Sequence, residues 1–232
     1  MNNNYTNWKE WDSNDFGKES NLDSAYYKNI LNLLKFKKNF KVLEIGFGNG
    51  SFLGFSSRKG FDISGIEINE NLVELAINKN FTAYSSIDKI NANIKFNLIV
   101  LFDVLEHIPG DEVEQFLNKL NAHLEDSGLI FLRFPNGSSP LGLDNQHGDV
   151  THCNIVTMPK LNYWCVNSGF KVIFVRGDIR PFIFQHNFFK MPSRLFKRFL
   201  YFIAEKFVRI ISIQSKGVLS SNLEVIISKN EN

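Results

Sequence analysis

Short apolar runs and longer amphipathic stretches alternate along this chain, each strand-plus-helix unit taking roughly 20–30 residues. Leu22, Tyr26, Ile30, Leu33 and Leu34 recur at helical spacing and predict a helix from 22 to about 36. Residues 41–45 read as a short buried strand, 51–59 as a helix and 61–68 as a second strand. A helix over 69–80 follows, with Asn69 as N-cap and Leu72, Leu75 and Ala76 on one face. A short strand at 81–84 precedes the run Phe-Asn-Leu-Ile-Val-Leu-Phe at 96–102, whose nearly unbroken apolar character predicts a parallel strand covered on both faces. A helix over 111–124, stopped by Gly128, leads to a fifth strand at 129–134. The pattern resumes with a helix over 157–168 closed by Gly169, a sixth strand at 171–175 and a last one at 223–228. The prediction is an α/β doubly wound sheet, and 232 residues at 44% apolar composition suit one sizeable domain over 1–232.

Three stretches break this rhythm. Residues 1–38 form an N-terminal cap segment, polar but carrying Trp8, Trp11 and Phe16, which predicts that part of it packs on the main body. Residues 135–156 are rich in Gly, Ser, Asn and His, and such a loop is too long for a plain connector. Residues 181–216 read as a basic, aromatic-rich helical insertion. Its Arg194, Arg198 and Arg209 share a face with Glu205, opposite Phe196, Phe199, Leu200, Ile203, Phe207 and Ile210.

Charge follows the same division. From Arg180 to Lys216 there are eight Lys/Arg against Glu205 alone, a local +7, which leaves −5 for the rest of a chain totalling +2. So small a total does not mark a nucleic-acid binder. The insertion can pack on the domain, wall a pocket, support a homodimer, or touch an anionic membrane surface through 190–211. The start of the chain lacks the apolar run of a signal peptide, no stretch is long enough to span a bilayer, and Cys153 and Cys165 are the only cysteines. These features predict a cytoplasmic protein.

The most chemically telling run is 41–50, Lys-Val-Leu-Glu-Ile-Gly-Phe-Gly-Asn-Gly. Gly46, Gly48 and Gly50 at alternate positions permit a sharp turn and close approach of a ligand to the backbone. Glu44 places a carboxylate inside an apolar strand end, a costly position unless a cationic or hydroxyl-bearing ligand pairs with it. It would also disfavour a pyrophosphate, which separates this turn from a dinucleotide site. Glu67 ends the second strand about 20 residues after the glycines, where a ribose diol would be held.

Taken together, V-L-E-I-G-F-G-N-G (42–50), G-I-E-I-N (65–69) and L-F-D-V-L-E-H-I (101–108) resemble the class I S-adenosylmethionine-dependent methyltransferases over about residues 40–175. The resemblance implies a Rossmann-like seven-stranded sheet whose last strand, at 222–229, is antiparallel. It implies S-adenosyl-L-methionine as cofactor, with Gly46, Gly48 and Gly50 around its methionine moiety, Glu67 on the ribose hydroxyls and Ile68 also in the cofactor site. Glu44 would sit near the sulfonium and amino group, Ser86 and Ile87 beside the adenine, and Asp103 at the amino-acid end. Some relatives with an acid-x-x-Glu-His pattern bind a divalent metal, so Asp103, Glu106 and His107 could supply ligands; the sequence leaves this open, and His107 could equally orient a loop.

A second constellation lies at 145–152, Asn-Gln-His-Gly-Asp-Val-Thr-His. Methyl transfer to oxygen requires removal of the acceptor proton as the new bond forms, and a histidine oriented by a carboxylate suits that work. His152 is the first candidate for base or acceptor positioner, with Asp149 as its orienter and His147 second. The plainer reading makes Asp149 and Thr151 caps of the next helix. Asp-x-Thr-His before a helix ending Ser-Gly-Phe, with the opening Trp-x-x-Trp and Asp15-Phe-Gly17, is similar to methyltransferases of bacterial surface-polysaccharide and sugar-modification pathways. That likeness implies O-methylation of a sugar, sugar nucleotide or glycan precursor, including a phosphate-bearing one that Arg133, Arg176 and Arg180 could neutralise. The alternatives are N-methylation of a small molecule, a non-catalytic cofactor-binding partner, or a nicotinamide oxidoreductase. Nucleic-acid methylation is disfavoured, since the Asn/Asp-Pro-Pro-aromatic and Pro-Cys motifs are missing.

Overall fold

The computed structural model describes residues 13–35, 40–178 and 218–230, together with 199, 200, 203 and 206. Most of the basic insertion, its suggested membrane or dimer contacts, Arg180, Trp8 and Trp11 lie outside the described residues.

Seven strands form one sheet in the order β3-β2-β1-β4-β5-β7-β6. They are β1 (Lys41–Ile45), β2 (Asp62–Ile66), β3 (Thr82–Tyr84), β4 (Phe96–Phe102), β5 (Leu124–Pro135), β6 (Phe170–Gly177) and β7 (Asn222–Lys229). The first five run parallel, and β7 is antiparallel to both β5 and β6. The helices are α1 (Asn21–Leu33), α2 (Ser51–Arg58), α3 (Glu70–Asn78), α4 (Val113–His123), α5 (Leu143–His147) and α6 (Met158–Asn167). This is the doubly wound α/β architecture that the alternating periods predict.

The apolar strands divide cleanly between two cores. In β4, Ile99 and Leu101 pack with Leu117, Leu120 and Trp164 of α4 and α6, whereas Leu98 and Val100 pack with Phe52, Phe55 and Tyr27 of α2 and α1. Phe131 and Ile226 join the second core, and their neighbours Ile130, Leu132, Val225 and Ile227 the first. Successive side chains of a strand point to opposite faces, so only an unbroken apolar run can serve helices on both sides.

Among the described residues, side-chain caps start three of the six helices, α1, α3 and α6. Asn69 accepts a hydrogen bond from Asn71 N and starts α3, and Thr157 accepts one from Lys160 N at the start of α6. Asp149 and Thr151 therefore cap nothing here. Two further expectations change. Gly128 does not stop α4: the helix ends at His123, whose ring bonds the Ile94 carbonyl at 3.0 Å, and Leu124 enters β5 at once by pairing with Phe96. The 135–156 loop is not structureless, because Ser139 caps a 3-10 turn at Pro140–Gly142 that continues into α5. Among the described residues, no helix is long and apolar enough to cross a membrane.

Candidate active site

β1 and β4 lie side by side mid-sheet, and the chain leaves them toward opposite edges. That divergence opens a cleft at their carboxyl ends, as in other open parallel sheets. Here it holds a cavity of about 960 Å³.

The turn after β1 forms one wall. Gly46, Gly48 and Gly50 take φ of +69°, +52° and +71°, a region closed to most side chains. Gly46 and Gly48 line the cavity, whereas Gly50 does not. Gly50 instead stands before α2, where a Cβ would lie 2.6 Å from the Phe16 ring. Glu67, the first residue past β2, is fixed by backbone donors: Gly48 N to Oε2 at 3.1 Å and Asn69 N to Oε1 at 3.0 Å. Ile68, Ser86 and Ile87 line the same cavity.

Glu44 is buried, and its Oε2 has no hydrogen-bond partner among the described residues. Burial, and secondarily the negative charge of Glu67, push its pKa well above the ordinary 4.5. A cation entering the cavity would supply the missing partner. The folded protein keeps a proton here that the unfolded chain releases, so stability falls as pH rises from about 4.5 through the raised value, by at most ~1.4 kcal/mol per pH unit. Glu44→Gln is thus expected to melt above the native protein at neutral pH, with the gap closing as pH falls toward 4.5. Thermal melts over a pH series check this, and a gap independent of pH would contradict it.

Asp103 follows β4 at φ +56°, strained for a non-glycine residue. Its carboxylate receives Arg133 Nε at 3.0 Å and Arg133 Nη2, while Asp103 N donates to the Arg133 carbonyl at 2.8 Å. The guanidinium lies over the Tyr26 and Phe102 rings at 5.4 and 5.3 Å. Arg176 donates from Nε to Glu224 at 2.5 Å and from Nη2 to Asn29 at 2.9 Å. Both arginines thus have partners within the chain, and of the two only Arg133 lines the cavity.

The second constellation meets the segment after β4. Glu106 is fully buried, and neither carboxylate oxygen has a hydrogen-bond partner among the described residues. Burial, then the charge of Asp103, push its pKa well above the ordinary carboxylate range. His152 Nε2 lies 3.9 Å from Glu106 Oε1 and 4.0 Å from Asp149 Oδ2, and its ring stands edge-on to His107 at 4.7 Å. Asp149 does not orient His152 by a hydrogen bond. That role falls to the Gln146 carbonyl, which accepts from His152 Nδ1 at 2.9 Å. Asp149 Oδ1 instead accepts from the Thr151 amide at 2.9 Å and hydroxyl at 2.6 Å. His107, Asp149 and His152 line the cavity; His147 is exposed and does not. Sequence reasoning missed Gln146, whose contribution is a carbonyl that its side-chain identity cannot announce, and the contact of the Thr151 hydroxyl with His107 Nδ1 at 3.0 Å.

A family model for a methyltransferase domain matches residues 19–175. The chain belongs to this methyltransferase-domain family. Solved methyltransferases share its fold. A SAM-dependent methyltransferase from Archaeoglobus fulgidus is 19% identical with a TM-score of 0.67, over 99% of this chain and 100% of that one. The plantazolicin methyltransferase BpumL, in complex with SAH, is 17% identical with a TM-score of 0.57, over 98% and 88%. The mitomycin 7-O-methyltransferase MmcR is 11% identical with a TM-score of 0.57, over 90% of this chain and 54% of that one. No curated protein matches the sequence. The Archaeoglobus fulgidus protein is SAM-dependent and the BpumL structure is a complex with SAH, so S-adenosylmethionine is the group to test against this site. The residues present suit it, since a glycine cradle and an orphaned buried carboxylate at Glu44 are what a cationic ligand with a hydroxylated sugar requires.

Proposed function

We propose that this methyltransferase O-methylates a small molecule, a sugar, sugar nucleotide or related glycan precursor, with His152 receiving or positioning the acceptor proton. S-adenosylmethionine supplies an electrophilic methyl group on a sulfonium. In this reading Glu67 accepts hydrogen bonds from the ribose hydroxyls, with Ile68, Ser86 and Ile87 along the adenine side. Glu44 and Asp103 face the methionine end, and Gly46 and Gly48 let the backbone approach it.

The observation that carries the reading is the state of the His152 ring. A carbonyl only accepts, so the Gln146 contact puts a proton on Nδ1 and leaves the lone pair of the neutral ring on Nε2. His152 shares the cavity wall with the glycine turn, so a base and the methyl-donor cradle serve one chamber. The sugar class rests on the sequence likeness around Asp149–His152 and the polar Asp144, Asn145 and Asn222 along the cavity. Folds as close as these serve acceptors as different as plantazolicin and mitomycin, so the fold itself selects none.

Two measurements test the reading. Purified protein should release S-adenosylhomocysteine with nucleotide-activated sugars and not with small amines. His152→Ala should lower kcat roughly 10²–10⁴-fold at unchanged cofactor affinity. Undiminished turnover in that variant would remove His152 from the chemistry. Cofactor binding without turnover on any acceptor would favour a regulatory partner.

A further inference from the structure

We propose that Glu106, His107 and His152 form a binding site for a borderline divalent cation such as Zn²⁺ or Co²⁺. Each residue offers one ligand atom, and these atoms all lie within 4.8 Å of one another. Glu106 and His107 come from the 3-10 turn after β4, and His152 from a loop more than 40 residues further on.

Hydrogen bonding sets both rings for ligation. Thr151 Oγ1 gives its single proton to Asp149 Oδ1 at 2.6 Å, so toward His107 Nδ1, at 3.0 Å, it can only accept. The Thr151 carbonyl, 3.3 Å from the same nitrogen, is also an acceptor. His107 Nδ1 therefore carries a proton, as His152 Nδ1 does against Gln146. A neutral ring so bonded has its lone pair on Nε2. A metal-binding imidazole is commonly fixed in this way, its other nitrogen donating to a carbonyl or carboxylate.

The third ligand explains an otherwise expensive residue. A fully buried carboxylate with both oxygens unpartnered costs stability unless a ligand completes it. The backbone carbonyl of Glu106 accepts from Cys153 N and Asn154 N at 2.9 and 3.0 Å, which binds the loop carrying His152 to the turn carrying Glu106. The two halves of the site are thereby held together by main chain. Two imidazoles and one carboxylate favour a borderline ion over Mg²⁺ or Ca²⁺, which prefer all-oxygen shells. At bond lengths of ~2.0–2.2 Å, tetrahedral ligands stand roughly 3.5 Å apart, so the three side chains draw in slightly on loading.

The ion would face the cavity, which Glu106, His107 and His152 all line. If the proposed O-methylation is right, its remaining positions would hold the acceptor hydroxyl, and His152 would act through the ion rather than as a free base.

Co²⁺ titration of the tag-free, full-length protein tests the site through its visible d–d absorption. The expected result is saturable bands at one equivalent, displaced by Zn²⁺, with affinity lowered on the order of 100-fold or more in both Glu106→Gln and His152→Ala. Binding of S-adenosylhomocysteine, followed calorimetrically, shows that each variant is folded. No bands in the native protein, or bands that both variants keep, would overturn the proposal. If Glu106→Gln does not fold, His152→Ala decides alone. Lost turnover in His152→Ala with an intact cobalt spectrum would keep the base and reject the metal. Cobalt binding without S-adenosylhomocysteine formation would reject the acceptor reading and keep the metal.

Discussion

Glu67→Ala is expected to weaken S-adenosylhomocysteine binding by roughly 10²–10³-fold, the size of two charge-assisted hydrogen bonds at ~1.5–3 kcal/mol each, partly offset by water. The proposed role gives each carboxylate oxygen one ribose hydroxyl. The carboxylate is already in place, because Gly48 N and Asn69 N hold its two oxygens. Little ordering entropy is then spent on binding, which is why the loss should be large. Those amides belong to the glycine turn and the α3 cap, so some stability goes too, about 1–2 kcal/mol. Glu67→Gln separates the effects: it keeps the shape but turns an NH₂ toward one donor, and should fall between native and alanine. Calorimetric titration checks the series, and an affinity within about threefold of native for Glu67→Ala would remove Glu67 from the cofactor site.

Gly54→Ala is the substitution with the largest expected cost to the fold. A Cβ there would lie 1.9 Å from the Gly17 carbonyl oxygen, 2.7 Å from its carbon and 2.9 Å from Gly17 Cα. All three are backbone atoms, so no side chain can swing away. The Gly17 segment is itself tethered: its N donates to Asn49 O at 2.9 Å, its carbonyl accepts from Arg58 Nη1 at 2.9 Å, and its φ is +78°. Relief requires lifting the 13–17 turn off α2, at about 3 kcal/mol, the upper part of the range for overpacked cores. For a domain of this size that is a drop of roughly 6–12 °C in Tm. Phe16 rides on the same turn, covers Gly50 and stands edge-on to Phe47 at 6.1 Å. Its displacement should loosen the glycine turn and weaken S-adenosylhomocysteine binding as well. A Tm within about a degree of native would mean that this turn is not docked on α2.

Neither Gly54 nor Glu106 stood out in the sequence as strongly as the structure makes them. Gly54 reads as an ordinary, mildly unfavourable helix residue, since nothing in its neighbourhood announces that Gly17 will lie against it. Glu106 reads as one letter of a familiar phrase after β4, with no sign that both its oxygens end up buried and unpartnered. By contrast Glu44 was legible, because a lone acid in Val-Leu-Glu-Ile is conspicuous on local pattern alone. Asp103 was legible as a strand-end acid, but its clamp by Arg133 was not, because the partner stands on a different strand.

The histidines show the boundary best. His147 and His152 are five residues apart in one loop, and sequence offers no means to rank them beyond spacing. α5 decides. Its successive residues turn by about 100°, so with Gln146 buried its neighbour His147 turns out to solvent. His152, past the helix, is pinned by the Gln146 carbonyl against Glu106.

The sequence by itself determined the doubly wound sheet, its strand and helix periods, the glycine turn after β1 and the acid after β2. Each depends on residues a few positions apart, and local sterics and hydrophobic period act at that range. Only the tertiary structure decided that Gly50 supports Phe16 rather than the cavity, that Arg133 closes on Asp103, and that Glu106, His107 and His152 converge. Those contacts join segments about 30 to 45 residues apart. The path by which the chain returns to the sheet sets them, and no local preference encodes that path.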